Sequence, residues 1–409
     1  MITDLAALLA PMPPEQFFAE YHDRQPLHLK GDAAKFAAVL SWRQINRLLD
    51  MTHIWSSHSL QLVLDGTPVP AAEYCVRATG RDANEPLMQP VAARVREWVK
   101  RGASIVMNDV DSLTPGLASV SNAIEAAGLG KAQANVYISW QSHKAFPAHY
   151  DTHDVWAVQV EGEKTWNVWE GRAEWPIGHP LFRSQPQEHH EQAKGRLRAK
   201  VLMKPGDLLY LPRGWYHDAL AEAPASVHVA YGAHAPLGMD LLNILTERAL
   251  YDAVFRQPLP RQDGSAAAKF ALTTRAAQLG QRLAELAKDP KVMEVLERFV
   301  ADYRFARGGN DLLAWRGMAA PAAGAPDDAA EGGAFRVVAG GAKPVRRGAE
   351  WVLKTERGTL PLSPPEAEAA QWLLARPDVT EAELRGAHPG ADAPRLLARL
   401  REAGLLVAT

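Results

Sequence analysis

One cysteine, Cys75, stands in 409 residues. That excludes an intrachain disulfide framework and any zinc site built from several thiolates. The chain also has no uninterrupted apolar run of membrane-spanning length. Charge of one sign is missing too: 45 Lys and Arg face 47 Asp and Glu, for a formal net charge of −2. Without concentrated positive charge, binding to nucleic acid is not expected as the main activity, because phosphate neutralisation needs clustered cations. The first residues, Met1-Ile-Thr-Asp-Leu-Ala-Ala-Leu-Leu-Ala, have no basic residue before their apolar stretch, and Asp4 interrupts it. A small helix is expected there, not a secretory leader. A reduced, cytoplasmic setting fits the lone cysteine. What is present, 47% hydrophobic and 22% charged residues, describes a globular chain of two or three domains.

The richest segments are His149-Tyr150-Asp151 and Gly206-Asp-Leu-Leu-Tyr-Leu-Pro212-Arg-Gly214-Trp-Tyr-His217, whose last residue lies 66 positions after Asp151. Together they supply two imidazoles and one carboxylate. That donor set suits non-haem Fe(II) and leaves coordination positions open. If the first segment is a strand, His149 and Asp151 point to one face and Tyr150 to the other. In the second, Leu208–Leu211 reads as a strand, Pro212 and Gly214 as a bend, and His217 as the re-entry into the sheet.

Other histidines compete for attention. His149 and His153 have the i, i+4 spacing of a helical metal site, but Val155 and Trp156 favour a strand. His189-His190 sits among Gln, Glu and Lys and is expected in a solvent-facing loop. His228, within Ala225–Tyr231, falls on a strand expected to line the interior and to support the site. Lys164 follows a Glu-Gly turn and opens an apolar run to Trp169. There it is either a solvated hairpin lysine or a cation awaiting a buried carboxylate, whose pairing would offset the cost of burial.

These residues carry a resemblance to the JmjC-type 2-oxoglutarate oxygenases, and within them to the bacterial ribosomal oxygenases. It runs from Asn135-Val-Tyr137-Ile-Ser through Phe146-Pro-Ala-His149-Tyr-Asp151 and Val155–Trp169 to Gly206–His217. The resemblance implies Fe(II) at His149, Asp151 and His217, with 2-oxoglutarate and O₂ as co-substrates. It places Lys164 on the far carboxylate of 2-oxoglutarate, with Tyr137 and Asn135 lining the same pocket. One departure is visible. Where the family has hydroxyl residues after the histidine matching His228, this chain has Ala230 and Gly232.

The expected fold class is α+β: a double-stranded β-helix core of the cupin or jelly-roll JmjC type, a helical dimerisation region and a C-terminal winged-helix domain. Residues 1–95 are expected as a mixed N-terminal extension. The catalytic barrel is expected over 96–238, because a closed sheet points alternate side chains into its interior. Ser41 and Gln44 form a capping-box pattern ahead of a helix, Leu60–Leu64 reads as a strand, and Gly128 stops a helix over Leu117–Ala127. From Met239 the period turns helical, with Leu241, Leu242, Ile244, Leu245 and Leu250, then Leu279, Leu283, Leu286, Val292, Val295, Leu296 and Phe299. The region 239–317 is therefore expected to be helical, and the resemblance makes it a homodimer interface. A low-complexity linker spans 318–333. Over 334–409, strands at Phe335–Val338 and Glu350–Thr355 precede three short helices near 364–376, 380–386 and 392–403 and a last strand.

The function expected is hydroxylation of a protein side chain, for which the resemblance points to an arginine or histidine of a ribosomal protein. The same chemistry on a biosynthetic precursor peptide is the nearest alternative. From other classes come a non-catalytic cupin and winged-helix ligand-sensing regulator and a metal-dependent isomerase. Lys164 argues against the isomerase. The C-terminal region, with 11 Lys and Arg against 9 Asp and Glu from Phe335 to Thr409, argues against the regulator.

Overall fold

The computed structural model describes residues 1–78, 87–140, 146–222, 224–307, 334–337, 343–347, 350–355, 358–376 and 378–408. It divides into two compact units, Met1–Gly308 and Gly309–Thr409. The linker expected over 318–333 lies outside the described residues.

In the first unit the strands are, in chain order, Leu27–Leu29 (β1), Leu60–Leu64 (β2), Thr67–Pro68 (β3), Cys75–Ala78 (β4), Leu87–Pro90 (β5), Ser104–Met107 (β6) and Lys131–Trp140 (β7). They continue with Asp154–Glu161 (β8), Lys164–Arg172 (β9), Leu197–Met203 (β10), Leu208–Leu211 (β11), Trp215–Ala221 (β12) and Ala225–His234 (β13). Eight of them form one sheet in the order β1-β11-β8-β13-β7-β6-β2-β3, and β10-β9-β12 form a second. Residues 1–95 thus add β1, β2 and β3 to the sheet that carries β7, β8 and β13.

Strand alternation divides the chemistry between the two faces of the large sheet. On β7, Ala132, Ala134, Val136 and Ile138 belong to the core that packs against the N-terminal helices and the Pro115–Ala126 helix. Trp156 and Val158 of β8 and Val227, Val229 and Tyr231 of β13 join them. Asn135, Tyr137 and Ser139 alternate with these and face the second sheet. A smaller apolar cluster lies between the sheets, formed by Val155, Ala157, Trp166, Val168, Met203, Leu209, Leu211 and Trp215. The inner face is therefore apolar at one end and polar at the other.

Local signals explain several elements. Ser41 Oγ accepts from Gln44 N at 3.4 Å and caps the Trp42–Asp50 helix. Thr114 caps Pro115–Ala126, which ends just before Gly128 at φ +74°. Gly162 turns β8 into β9 at φ +60°, and a Cβ there would lie 2.1 Å from Ala225 O, so only glycine fits.

Two expectations need correction. His149–Asp151 does not lie on a strand: His149 makes an isolated bridge to His217, and β8 begins only at Asp154. Beyond that one bridge, the segment makes no ladder with a neighbouring strand among the described residues. His189 and His190 are not in a loop but in the Gln187–Ala193 helix, started by Pro186 and Glu188. His190 is half-buried there, its Nδ1 3.3 Å from the Tyr216 hydroxyl.

Past Gly238 the unit is helical, with Gly238–Ala249, Ala253–Arg256, Ala266–Leu286 and Pro290–Ala301. Leu245, Ala249, Leu286 and Val292 are buried together, with Leu241, Ile244 and Leu283 packed against them. Leu242, Leu250 and Val295 of the expected stripe are exposed instead. The second unit contains strands Ala334–Val337 (β14), Pro344–Arg347 (β15), Glu350–Thr355 (β16), Gly358–Leu362 (β17), Asp378–Thr380 (β18) and Leu406–Ala408 (β19). They form two small sheets, β18-β14-β19 and β15-β16-β17. Helices Pro364–Leu374, Glu381–Ala387 and Ala393–Glu402 share a core of Ala and Leu with them.

Candidate active site

Between the two sheets lies a cavity of about 300 Å³. Its walls come from Asn135 and Tyr137 on β7, Val155 on β8, Lys164 and Trp166 on β9, and His217 and Ala219 on β12. His228, Ala230 and Gly232 on β13 and Phe146, His149, Asp151 and His153 from the segment before β8 complete it. Every residue expected at the site is among them.

His149 and His217 face each other across a backbone pair. His149 N donates to His217 O at 3.0 Å, and His217 N donates to His149 O at 2.8 Å. Gly214 N donates to Asp151 O at 2.8 Å, fixing the third residue to the same turn. Gly214 holds φ +82°, and a Cβ on it would lie 2.2 Å from Ala173 O, so this turn also requires glycine. The side-chain donor atoms of His149, Asp151 and His217 all lie within 4.8 Å of one another.

Hydrogen bonds select the tautomers. His149 Nδ1 is 2.8 Å from Pro147 O, and His217 Nδ1 is 3.0 Å from Trp215 O. A carbonyl only accepts, so both Nδ1 atoms carry the proton and both Nε2 atoms present lone pairs. Burial, then His149, pushes the His217 imidazole down to about 4, so it is neutral near pH 7. Burial alone would raise the Asp151 carboxyl, but His153, His149, His217 and Arg183 together hold it below its ordinary value. Two imidazoles and one carboxylate with converging donor atoms fit a divalent cation with open positions. A second group with close donor atoms, His22, Asp23 and Asp154, differs in that Asp154 is already engaged by the Tyr210 hydroxyl at 2.7 Å and Arg213 N at 2.9 Å.

Lys164 is not a solvated hairpin residue; it is 2% exposed. Its Nζ lies 3.1 Å from Ser139 Oγ and 3.3 Å from His228 Nδ1, and no carboxylate pairs with it among the described residues. Burial pushes the amine down to about 7. A buried cation site without an anion, sharing a cavity with a metal-ready cluster, suits a ligand that brings its own carboxylate. Tyr137 stacks on His228, ring centres 4.8 Å apart and 5° from parallel. Burial and Asp151 keep its phenol protonated, so it can donate. Asn135 accepts from Asp109 N at 3.1 Å through Oδ1.

The departure at Ala230 and Gly232 has a local counterpart. A Cβ on Gly232 would come within 2.8 Å of His153 Cε1, so the small residue leaves room for the His153 ring, which itself lines the cavity. Sequence reasoning missed Ser139, although its spacing from Asn135 and Tyr137 places it on the same strand face. It also missed Trp166, whose indole N–H is buried without a partner among the described residues. An outer cavity lined in part by Tyr150, Phe182, Arg183, Gln187 and His190 shares Phe146, His149, Asp151 and His153 with the inner one, so the site opens past the Pro180–Arg183 and Gln187–Ala193 helices.

Residues 115–241, which hold the whole cluster and Lys164, match the JmjC domain family. Those residues form a JmjC domain within the longer chain. Its cupin-like core with added helices is that of a JmjC fold. Among curated relatives, the bifunctional lysine-specific demethylase and histidyl-hydroxylase NO66 of Drosophila persimilis is 27% identical over 232 residues. That match covers 56% of this chain and 31% of the relative. Ribosomal oxygenase 2 of Bos taurus is 26% identical over 287 residues, 68% of this chain and 59% of that one. The chain therefore spans less than two thirds of the length of these relatives. Among solved structures, E. coli ycfD aligns over 97% of this chain and 98% of its own, with 15% identity and a TM-score of 0.49.

Proposed function

We propose that this chain is an Fe(II)- and 2-oxoglutarate-dependent hydroxylase of a protein side chain. The observation that carries the reading is the pairing, in one cavity, of three converging metal donors with a buried lysine that has no anionic partner among the described residues. When bound, Fe(II) with 2-oxoglutarate and O₂ supplies the oxidising power that inserts an oxygen atom into a C–H bond. The chain's own part is placement. His149 and His217 offer Nε2, Asp151 offers a carboxylate oxygen, and the Nδ1–H···O=C bonds hold both rings in that orientation. Lys164 and Tyr137 provide donors for the far carboxylate of the co-substrate, and Asn135 lines the same wall. Val155, Trp166 and Ala219 add apolar surface to the same cavity.

The target we propose is an arginine or histidine of a ribosomal protein, entering past the Pro180–Arg183 and Gln187–Ala193 helices. The names of the relatives support a protein substrate: one is a histidyl-hydroxylase and another a ribosomal oxygenase. For the helices beyond Gly238 we propose a homodimer interface, because ten large apolar residues between Met239 and Phe305 are exposed. The second unit is proposed as a winged-helix module for substrate placement. Arg399, on its last helix, is turned to Glu366 at 2.8 Å and to Pro361 O, which takes it away from any phosphate-binding face.

The test is direct. Purified protein should bind one Fe(II) or Mn(II) and convert 2-oxoglutarate to succinate, while Asp151→Ala should lose both and keep its circular dichroism. Near-normal turnover in Asp151→Ala would sink the assignment. Mass spectrometry of ribosomal proteins from a deletion strain should show the loss of a one-oxygen mass shift on one protein. Its absence from every ribosomal protein would move the target elsewhere.

A further inference from the structure

The polar end of the cavity is unusual in its charge. Among the described residues, Lys164 Nζ bonds neutral groups alone, Ser139 Oγ and His228 Nδ1. Ser139 in turn accepts from Ser104 Oγ at 3.2 Å. Gln159 donates to Ser226 Oγ at 2.9 Å, and both are buried. The titratable groups lining the same cavity are Tyr137 on β7, His228 on β13 and His217 on β12, with His149, Asp151 and His153 from the segment before β8. Asp151 is the single carboxylate among these lining residues, and it belongs to the metal donor set. None of them neutralises an ammonium before a ligand arrives.

His228 is held firmly beside the amine. Its ring stacks on Tyr137 and meets Trp166 edge-on at 5.3 Å. Burial, then Lys164, keeps it far below its ordinary imidazole range, so it is neutral and accepts a hydrogen from Nζ. We propose that His228 is a positioning residue for the co-substrate's far carboxylate: it holds the Lys164 amine in place, and the diacid enters together with one proton. The inference rests on the reading of this cavity as a 2-oxoglutarate site. The balance is simple: solvent supplies one proton, Lys164 changes from –NH₂ to –NH₃⁺, and the carboxylate that arrives supplies the compensating charge. Burial sets the empty-site amine at about 7. Affinity is therefore full below pH 7 and falls about tenfold per pH unit above it, because binding must then recruit the proton.

Calorimetric titration of the Mn(II)-loaded full chain with succinate at pH 8, in phosphate, Hepes and Tris, reads this proton from the buffers' different ionisation heats. Uptake close to one proton per succinate is expected, against none for Lys164→Arg, whose guanidinium stays charged. His228→Leu should weaken succinate binding several-fold while uptake persists, and His228→Gln, which keeps an acceptor, should restore much of the affinity. Wild-type binding with no proton uptake overturns the proton linkage. Unchanged affinity in His228→Leu overturns the positioning role. No succinate binding even at pH 6.5 overturns the 2-oxoglutarate reading itself, and this inference with it.

Discussion

Replacing Lys164 with methionine should abolish co-substrate binding and yet make the empty protein more stable at neutral pH. Burial in the folded protein depresses the amine from 10.5 to about 7. Each tenfold loss of proton affinity costs about 1.4 kcal/mol, so the penalty approaches about 4 kcal/mol at pH 7. The sign follows from proton binding. The unfolded chain holds the proton more tightly, so between pH 7 and 10.5 stability rises with pH. Below pH 7 both states are protonated and the penalty is complete; above 10.5 it vanishes. Methionine has a similar length and no charge, but it leaves Ser139 Oγ and His228 Nδ1 without Nζ, a loss of about 1–3 kcal/mol. The net gain at pH 6 to 7 is about 1–3 kcal/mol, or several degrees in Tm for a unit of this size. Thermal unfolding followed by circular dichroism at pH 6, 7, 8 and 9 should show the gain shrinking as pH rises. A Lys164→Met protein less stable than wild type at pH 6, by an amount independent of pH, would refute the reasoning.

Three further outcomes are expected. Arg307→Ala strips Asp111 (2.6 Å), Glu125 (2.5 Å) and Ala132 O of a cation that is itself only 5% exposed. Two largely buried carboxylates remain, so urea unfolding should show a loss of about 3–5 kcal/mol; a loss below about 1 kcal/mol would mean that the network is solvated. Gly232→Ala should displace the His153 ring and lower Tm by a few degrees, an overpacking cost of about 1–3 kcal/mol. Its metal affinity should stay near wild type, since the donor residues lie elsewhere, and a lost metal site would tie His153 to the metal. Light scattering at micromolar concentration should give a dimer, and Phe270→Glu with Leu242→Glu should shift it to monomer; a wild-type monomer would leave those exposed apolar residues without a partner.

Much of the site was legible because it is written in short-range spacing. Leu208–Leu211, the bend at Pro212 and Gly214, and His217 at the next strand start are all local signals, and they appear as read. The Ser41 cap and the strand Leu60–Leu64 have the same local origin. What local spacing does not carry is partner choice. The His149 segment looked like a strand because alternation suits one, but a strand needs a run of paired neighbours, and His149 finds a single bridge, to His217. The burial of Lys164 depended on Ser139 and His228, 25 residues before it and 64 after it. The Gln187–Ala193 helix was hidden by composition, since polar residues serve loops and exposed helices alike. The filling of the Gly232 gap by His153 is a packing event between distant positions, visible only once the strands are paired.

The reciprocal backbone bonds between His149 and His217 bear on how readily a metal would load. An ion coordinated by both residues closes a loop of roughly 70 residues, and closing a free loop of that length carries a substantial entropy cost. Here the main chain has already closed it, with bonds of 3.0 and 2.8 Å. Metal capture should therefore order little beyond the side chains themselves. The folded apo-protein should load like a rigid chelator, without the coupled folding that small metal-dependent domains need.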